Sequence, residues 1–520
     1  MQEILSLSRG KSALLPAYGM DKELIGLRKT LPIFYSALLL TGVNLLLRLA
    51  GTAFGVYISG RIGPAGVGLL QLVMSVGGFA LTAGMAGVRT GAMYLTAEEL
   101  GKGRPQNVKW ALSGCFTYSI LCSGVVAAAL FFLAPKLAES WIGDSRTVAA
   151  LRLLAVFLPV SCLCGVMTGY FTAANRVVTL AAVEILEQAL SMGVTFWLLT
   201  GWALSDPGKA CLSVVMGSGI GACLTLSVLV ILRLRERPAK GAPLPVARRL
   251  RNIAIPLAFA DVFKAGISTT ENLIVPKRLA RYPGEVDPLA AFGTVCGMVF
   301  PVLMFPAAIL FGLCELLIPE LARCAAAGSC KRTEYLVRRS LRIGLLYGCV
   351  FSALMFLLAR DLCMALYQNE AAGRYLRLYA LLIPMLYCDM LTDAITKGLG
   401  QQKACVRYNI LTSFLDVVFL FILLPRYGMK GYFVSFVATH LLNFTLSLRR
   451  LIKISHCRIA WRIPLLSALA TGVSIFLAGF VAQPVLRSTA CLAVLGSFLC
   501  LFGVLTQEDI RWIRGLIRKK

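Results

Sequence analysis

Long apolar stretches alternate with short polar connectors all the way from Leu31 to Thr506. Hydropathy places them at residues 32–58, 66–95, 108–133, 148–173, 178–203, 212–233, 251–275, 289–316, 338–359, 375–396, 406–424, 431–452, 463–482 and 488–506. Each approaches or exceeds the roughly 20 residues that a helix needs to cross the hydrocarbon core. Lipid offers backbone amides and carbonyls no water to bond, so such segments cross as helices. The expected fold class is an all-α integral membrane protein with about fourteen transmembrane helices.

The order of these stretches repeats at an offset of 225 residues. Leu151-Arg-Leu-Leu-Ala-Val-Phe-Leu-Pro159 aligns with Leu376-Arg-Leu-Tyr-Ala-Leu-Leu-Ile-Pro384. Polar exits follow both, Thr172-Ala-Ala-Asn-Arg176 and Lys397-Gly-Leu-Gly-Gln401. The same offset lays Val67-Gly68 on Phe292-Gly293. Six stretches separate the copies, an even number, so the repeats run parallel rather than inverted, and transporters commonly bind cargo between such halves. The organisation expected is a tail over 1–31, a six-helix bundle over 32–235, a linker over 236–250, a second bundle over 251–456, and two further helices with a basic tail over 457–520. Gly77, Gly78, Gly84, Gly87 and Gly91 in the second stretch, and Pro301 and Pro306 in the eighth, fit either close helix packing or packing combined with a hinge.

Composition agrees with lipid as the solvent: 58% of the 520 residues are hydrophobic and mean hydropathy is +0.77. The net charge of +27 therefore reads as a topological signal. With the N-terminus inside, about 35 of the 52 Lys and Arg fall on the cytoplasmic side, including those of the basic connectors around 233–251 and 323–342. Both termini are expected in the cytoplasm, at the bacterial cell membrane. The N-terminal segment lacks a short apolar core with a small-residue cleavage site, so it reads as a retained tail. No basic segment is interleaved with exposed aromatics, which argues against nucleic acid as a partner. The 17 cysteines scatter through apolar runs without a CxxC pair, and only His440 and His456 add metal-ligand potential. No phosphate loop, zinc motif or Ser/His/Asp set is present. Neither an enzyme nor a cofactor or metal is expected.

Ionisable groups at bilayer depth cost on the order of 3 kcal/mol each and so tend to face a cavity or a partner. Arg48 sits mid-stretch, too deep to reach water easily. Arg89 lies nearer a helix end and either lines the cavity or reaches the interface. Lys264 follows Asp261 by three residues, as a neutralised pair or as a cavity cation. The acidic members are Glu184, Glu187, Glu271, Glu315, Asp389, Asp393 and Asp416. Asp389, Asp393 and Lys397 share one helix face, which suits a cation or proton site, a partner for an arginine elsewhere, or a clasp between helices. Glu271 falls near the outer end of its stretch, within reach of water. Arg48, Arg89, Lys264 and Asp261 are the substrate-binding candidates; Asp389, Asp393, Glu184 and Glu187 are the coupling candidates.

Two stretches resemble the multidrug/oligosaccharidyl-lipid/polysaccharide exporter superfamily, in its polysaccharide-exporter branch. The first is Arg48-Leu-Ala-Gly51 with Ser59-Gly-Arg-Ile-Gly-Pro-Ala-Gly-Val-Gly68. The second is Asn272-Leu-Ile-Val-Pro-Lys-Arg-Leu279, continuing into Ala291-Phe-Gly-Thr-Val-Cys-Gly-Met-Val-Phe-Pro301 and Glu315-Leu-Leu-Ile-Pro-Glu-Leu321. The resemblance covers nearly the whole chain. It implies two six-helix bundles in a V, alternating access, and flipping of undecaprenyl-pyrophosphate-linked saccharides or peptidoglycan precursors for cell-wall or spore-cortex synthesis. Its implied partners are that lipid-linked saccharide, membrane lipids and cell-wall synthesis enzymes. Arg48 looks like the first-span cavity arginine of related lipid II flippases. Their eighth-span arginine has no counterpart in Gly297-Met-Val-Phe-Pro-Val-Leu-Met-Phe-Pro306. Two other readings stand beside this one: a cation-coupled multidrug antiporter of the same superfamily, and a non-transporting membrane scaffold.

Overall fold

The computed structural model describes residues 17–102, 104–201, 206–235, 246–455, 457 and 462–504. Residues 1–16 of the expected N-terminal tail, residues 505–520, most of the 236–250 linker and His456 lie outside these residues, whereas 17–31 of the expected tail belong to the first helix. All regular structure among the described residues is helical. The first half holds α1 (Ala17–Met85), α2 (Val88–Gly101), α3 (Val108–Leu137), α4 (Val148–Ala173), α5 (Val177–Gly201) and α6 (Pro207–Leu234). The second holds α7 (Val246–Leu279), α8 (Pro288–Gly293), a π-helical stretch over 294–299, α9 (Phe300–Met304), α10 (Ala307–Ala326), α11 (Cys330–Tyr367), α12 (Glu370–Ala380), α13 (Ile383–Gly398), α14 (Gln402–Tyr427) and α15 (Met429–Ser455). Then come α16 (Arg462–Ala478) and α17 (Pro484–Leu501).

Each expected stretch lies largely on helix among the described residues, though the helices divide differently. Among the described residues, ten runs are long and apolar enough to cross a membrane, or twelve if each of two bent pairs is one span. The first two stretches merge in α1, whose helix is interrupted only at Gly63 (φ 69, ψ 176), a conformation open to glycine alone. Pro64 then restarts the helix, where its missing N–H costs nothing. The eighth stretch bends by 62° between α9 and α10, at Pro306, and the tenth bends by 60° between α12 and α13. Large apolar side chains left uncovered, such as Phe132 and Phe259, form the lipid-facing surface.

The two repeats meet where their glycines coincide. A Cβ at Gly68 would run into the carbonyl oxygen of Leu289, and one at Gly293 into the carbonyl oxygen of Pro64. The Gly293 Cβ would also come within 2.9 Å of the Gly68 Cα. Pro64 and Leu289, like Gly68 and Gly293, are counterparts at the 225-residue offset, so the contact is reciprocal, as a two-fold relation between copies requires. Around it a continuous apolar core joins Leu69, Leu72 and Val73 of α1 to Phe292, Val295 and Val299 across the seam. A polar link lies alongside, where Asn272 Nδ2 donates to Ser75 Oγ at 3.0 Å and Thr269 Oγ1 to the Ser75 carbonyl at 3.1 Å. Two smaller cores lie away from the seam: one around Val88, Cys115, Val166 and Leu229, to which Leu250 and Ala254 of α7 also belong, and one within the second half around Leu317, Leu321, Leu391 and Leu451. The appended α16 and α17 pack on α11 through Ala353, Leu357, Ala478 and Cys491, and Arg487 donates to the Leu357 carbonyl.

Backbones this close leave no room for a side chain. Gly293→Val should lower the thermal midpoint of the detergent-purified protein, at a cost of about 1–3 kcal/mol from overpacking. Gly78→Ala, where nothing lies within 4 Å, should leave that midpoint unmoved in the same fluorescence-monitored melt.

Candidate functional site

An acidic cavity of about 260 Å³ opens inside the second half, between α7, α13, α14 and α15. The bend before α13 sets Ile383 and Pro384 in its first turn, and Asp389 follows about two turns in. Asn443 of α15 donates its amide to both Asp389 oxygens, at 3.2 and 3.1 Å. Asp416 of α14 is 7% exposed and accepts hydroxyl hydrogen bonds from Ser435 (2.5 Å) and Thr439 (3.2 Å). Glu271 of α7 lines the same cavity as Asp416. His440 closes one side. Its ring stacks on Phe436 with centroids 3.9 Å apart, and its Nδ1 donates to the Phe436 carbonyl at 2.9 Å. That bond assigns the proton of the neutral ring to Nδ1 and leaves Nε2 as an acceptor.

Carboxylates, amides and hydroxyls are oxygen-rich, hard donors, suited to protons and hard cations rather than to soft metals. No cluster of three or more His, Cys, Asp or Glu converges as a ready metal centre among the described residues. Three carboxyls on one cavity repel one another when ionised, which suits the space between them to a cation.

The expected ladder on α13 is divided. Asp393 is engaged by Lys397 one turn on, with nitrogen and oxygen 2.5 Å apart, whereas Asp389 turns to Asn443 and the cavity. Glu271, expected to reach water near a helix end, instead faces Asp416. Asp261 and Lys264 are both exposed on α7 and form no ion pair with each other, so the neutralised-pair reading does not hold. In the first half, Glu187 accepts from Thr225 at 2.8 Å, and Glu184 lies close enough to Arg89 and Glu187 to feel both charges. Arg48 crosses to the other half, its guanidinium 4.2 Å from the ring centroid of Phe311 on α10. Arg48 is exposed, and a cation over an aromatic face at an exposed position is worth about 0.5–1 kcal/mol. Spacing along the chain gave no sign that Glu271, Asp389, Asp416 and Asn443 meet, because they come from four helices.

Two family models match parts of the chain: "Polysaccharide biosynthesis protein" over residues 63–283 and "MatE" over residues 277–422. Stage V sporulation protein B of Bacillus subtilis (strain 168) is 22% identical over 408 residues, covering 76% of this chain and 78% of that protein. Among solved structures, the lipid II flippase MurJ in an inward closed conformation superposes with a TM-score of 0.67, at 11% identity, covering 89% of this chain and 98% of that one. An inward-facing multidrug resistance MATE family transporter superposes at 0.62, with 14% identity, covering 81% of this chain and 100% of that one. Of these, the two solved structures are a flippase and a transporter. The two family models adjoin along the chain, and both solved structures share its helical architecture, so the chain is similar to polysaccharide biosynthesis and MatE proteins in sequence and has the fold of MATE transporters and MurJ.

Proposed function

We propose that this protein flips a polyprenyl-pyrophosphate-linked saccharide or peptidoglycan precursor across the bacterial cytoplasmic membrane, with both termini in the cytoplasm. The observation that carries this reading is Arg48, a cation at membrane depth that reaches from α1 to α10 of the opposite half. A diphosphate entering between the halves, 32–235 and 251–456, meets that guanidinium and exchanges a ring contact for charge-assisted hydrogen bonds. Likeness to the lipid II flippase and to stage V sporulation protein B supports a lipid-linked cargo. Phe311, rather than an arginine, lies opposite Arg48, which favours a cargo whose head group differs from that of lipid II. The halves rock about the glycine seam, and each net negative charge moved outward gains about 2.3 kcal/mol per 100 mV of inside-negative potential, so ATP is not required.

The acidic cavity supports cation or proton coupling, with Asp389, Glu271 and Asp416 as the exchanging groups. Asp393 has its own lysine and serves structure. The same cavity favours a second reading, a cation-coupled exporter of small organic molecules, in line with the MATE neighbours. Drug efflux from a sensitised host separates the two cargoes.

Arg48→Ala should slow flipping of a labelled polyprenyl-pyrophosphate saccharide in proteoliposomes by roughly tenfold or more, the cost of a lost charge-assisted hydrogen bond, while membrane insertion is preserved. An unchanged rate would remove Arg48 from the pathway. Asp389→Asn should abolish the response of that rate to an imposed proton or sodium gradient. Asp393→Asn should keep it; loss of the response in both variants would contradict the division of labour along α13.

A further inference from the structure

Away from the seam, a second cavity of about 330 Å³ lies wholly within the first half, between α3, α4 and α6. Its walls are apolar: Leu112 and Phe116 of α3, Met167 of α4, Val230 and Leu234 of α6. Two cations stand at its rim. Lys109 is in the first turn of α3, and Arg233 is in the last turn of α6, its guanidinium 4.8 Å from the centroid of Tyr170 on α4. The start of one helix and the end of the other place both at the same end of the bundle. Leu234 at the opening is exposed, and apolar walls of this kind suit lipid rather than water.

The same end of the molecule is basic well beyond the rim. Exposed Arg104 and Arg235 lie on adjoining connectors. Arg249 of α7 joins them through an ion pair with buried Glu99 of α2, at 3.5 Å. A soluble anion has no use for the apolar walls, and a neutral lipid has no use for the cations. Two cations above a cleft that opens to the acyl region match a phosphate head group carrying hydrocarbon chains. No residue of the second half lines this cleft, so it stands apart from the path that rocking of the halves opens.

We propose that this cleft is a binding site for an anionic phospholipid of the adjoining leaflet, with Lys109 and Arg233 on its phosphate and an acyl chain against Leu112, Phe116 and Met167. Phosphatidylglycerol serves as the probe. The full chain is reconstituted in nanodiscs of phosphatidylcholine containing phosphatidylglycerol, extracted into mild detergent, and its retained lipids are counted by native mass spectrometry. Wild type should keep phosphatidylglycerol over phosphatidylcholine. Lys109→Gln, at an exposed position, should weaken that retention roughly fivefold, as expected for one interfacial charge. Ser113→Trp should block the cleft and abolish retention with both cations still in place. The proposal is overturned if both variants hold phosphatidylglycerol as wild type does, if phosphatidylcholine is kept equally well, or if only a polyprenyl phosphate is retained.

Discussion

Everything in the arrangement of the two halves depends on how closely α1 and the α8 segment approach one another. At Gly68 and Gly293 backbone lies on backbone, and each glycine abuts the carbonyl of the other's partner position, Leu289 or Pro64. A single glycine at a helix crossing is an ordinary packing device. Two related by the repeat offset, each seated against the counterpart of the other's neighbour, form an isologous contact inside one chain. Such a contact keeps its geometry when the halves turn about the axis through it, because neither side can slide without striking the other. The apolar residues flanking it, from Val67 to Val73 and from Phe292 to Val299, extend this small contact into the main core.

Charge is distributed unevenly about that axis. In the second half, three carboxyls, an imidazole and several amides and hydroxyls gather in one cavity. In the first half, Glu187 is bonded to a threonine and Glu184 sits near Arg89. A carboxylate held only by amides and hydroxyls keeps its charge available to a passing cation, whereas one held by lysine does not. By that criterion Asp389 and Asp416 are available and Asp393 is not. Among the described residues, the halves share a backbone plan but gather their carboxyls differently, and the proposed ion exchange falls to the second.

The helices were legible in the sequence because lipid imposes long uniform apolar runs, and the repeat was legible because its offset survives in pairs such as Gly68 and Gly293, but nothing in the sequence said that those two glycines meet. Where helices break was less legible. Pro159 and Pro384 align in the repeat, yet α4 continues through Pro159 while the chain bends 60° just before Pro384. Proline in a helix interior and proline in a first turn read alike in sequence, and the surrounding packing decides between them. The site was half legible. Asp389 and Arg48 stood out as costly buried charges, but the i, i+4, i+8 spacing on α13 could not say whether lysine or a distant asparagine would claim each aspartate. Nor could it bring Glu271 from α7 to Asp416 on α14.

The position of Glu271 bears on how ion exchange and the seam are connected. Successive residues on a helix point about 100° apart. Glu271 therefore faces the cavity while Asn272 reaches Ser75 on α1, with Thr269 on the same Ser75 one turn earlier. One turn of α7 thus has a carboxyl in the cavity and two hydrogen bonds on the opposite half. In the coupling proposed above, cation binding among the cavity carboxyls favours one placement of α7 over the other. That preference acts on α1 through the Ser75 bonds, with no intervening side chain. The gradient can therefore bias the halves only as far as the cavity's affinity for its ion differs between the two positions of α7, and the same difference sets how far the position of the halves alters ion affinity.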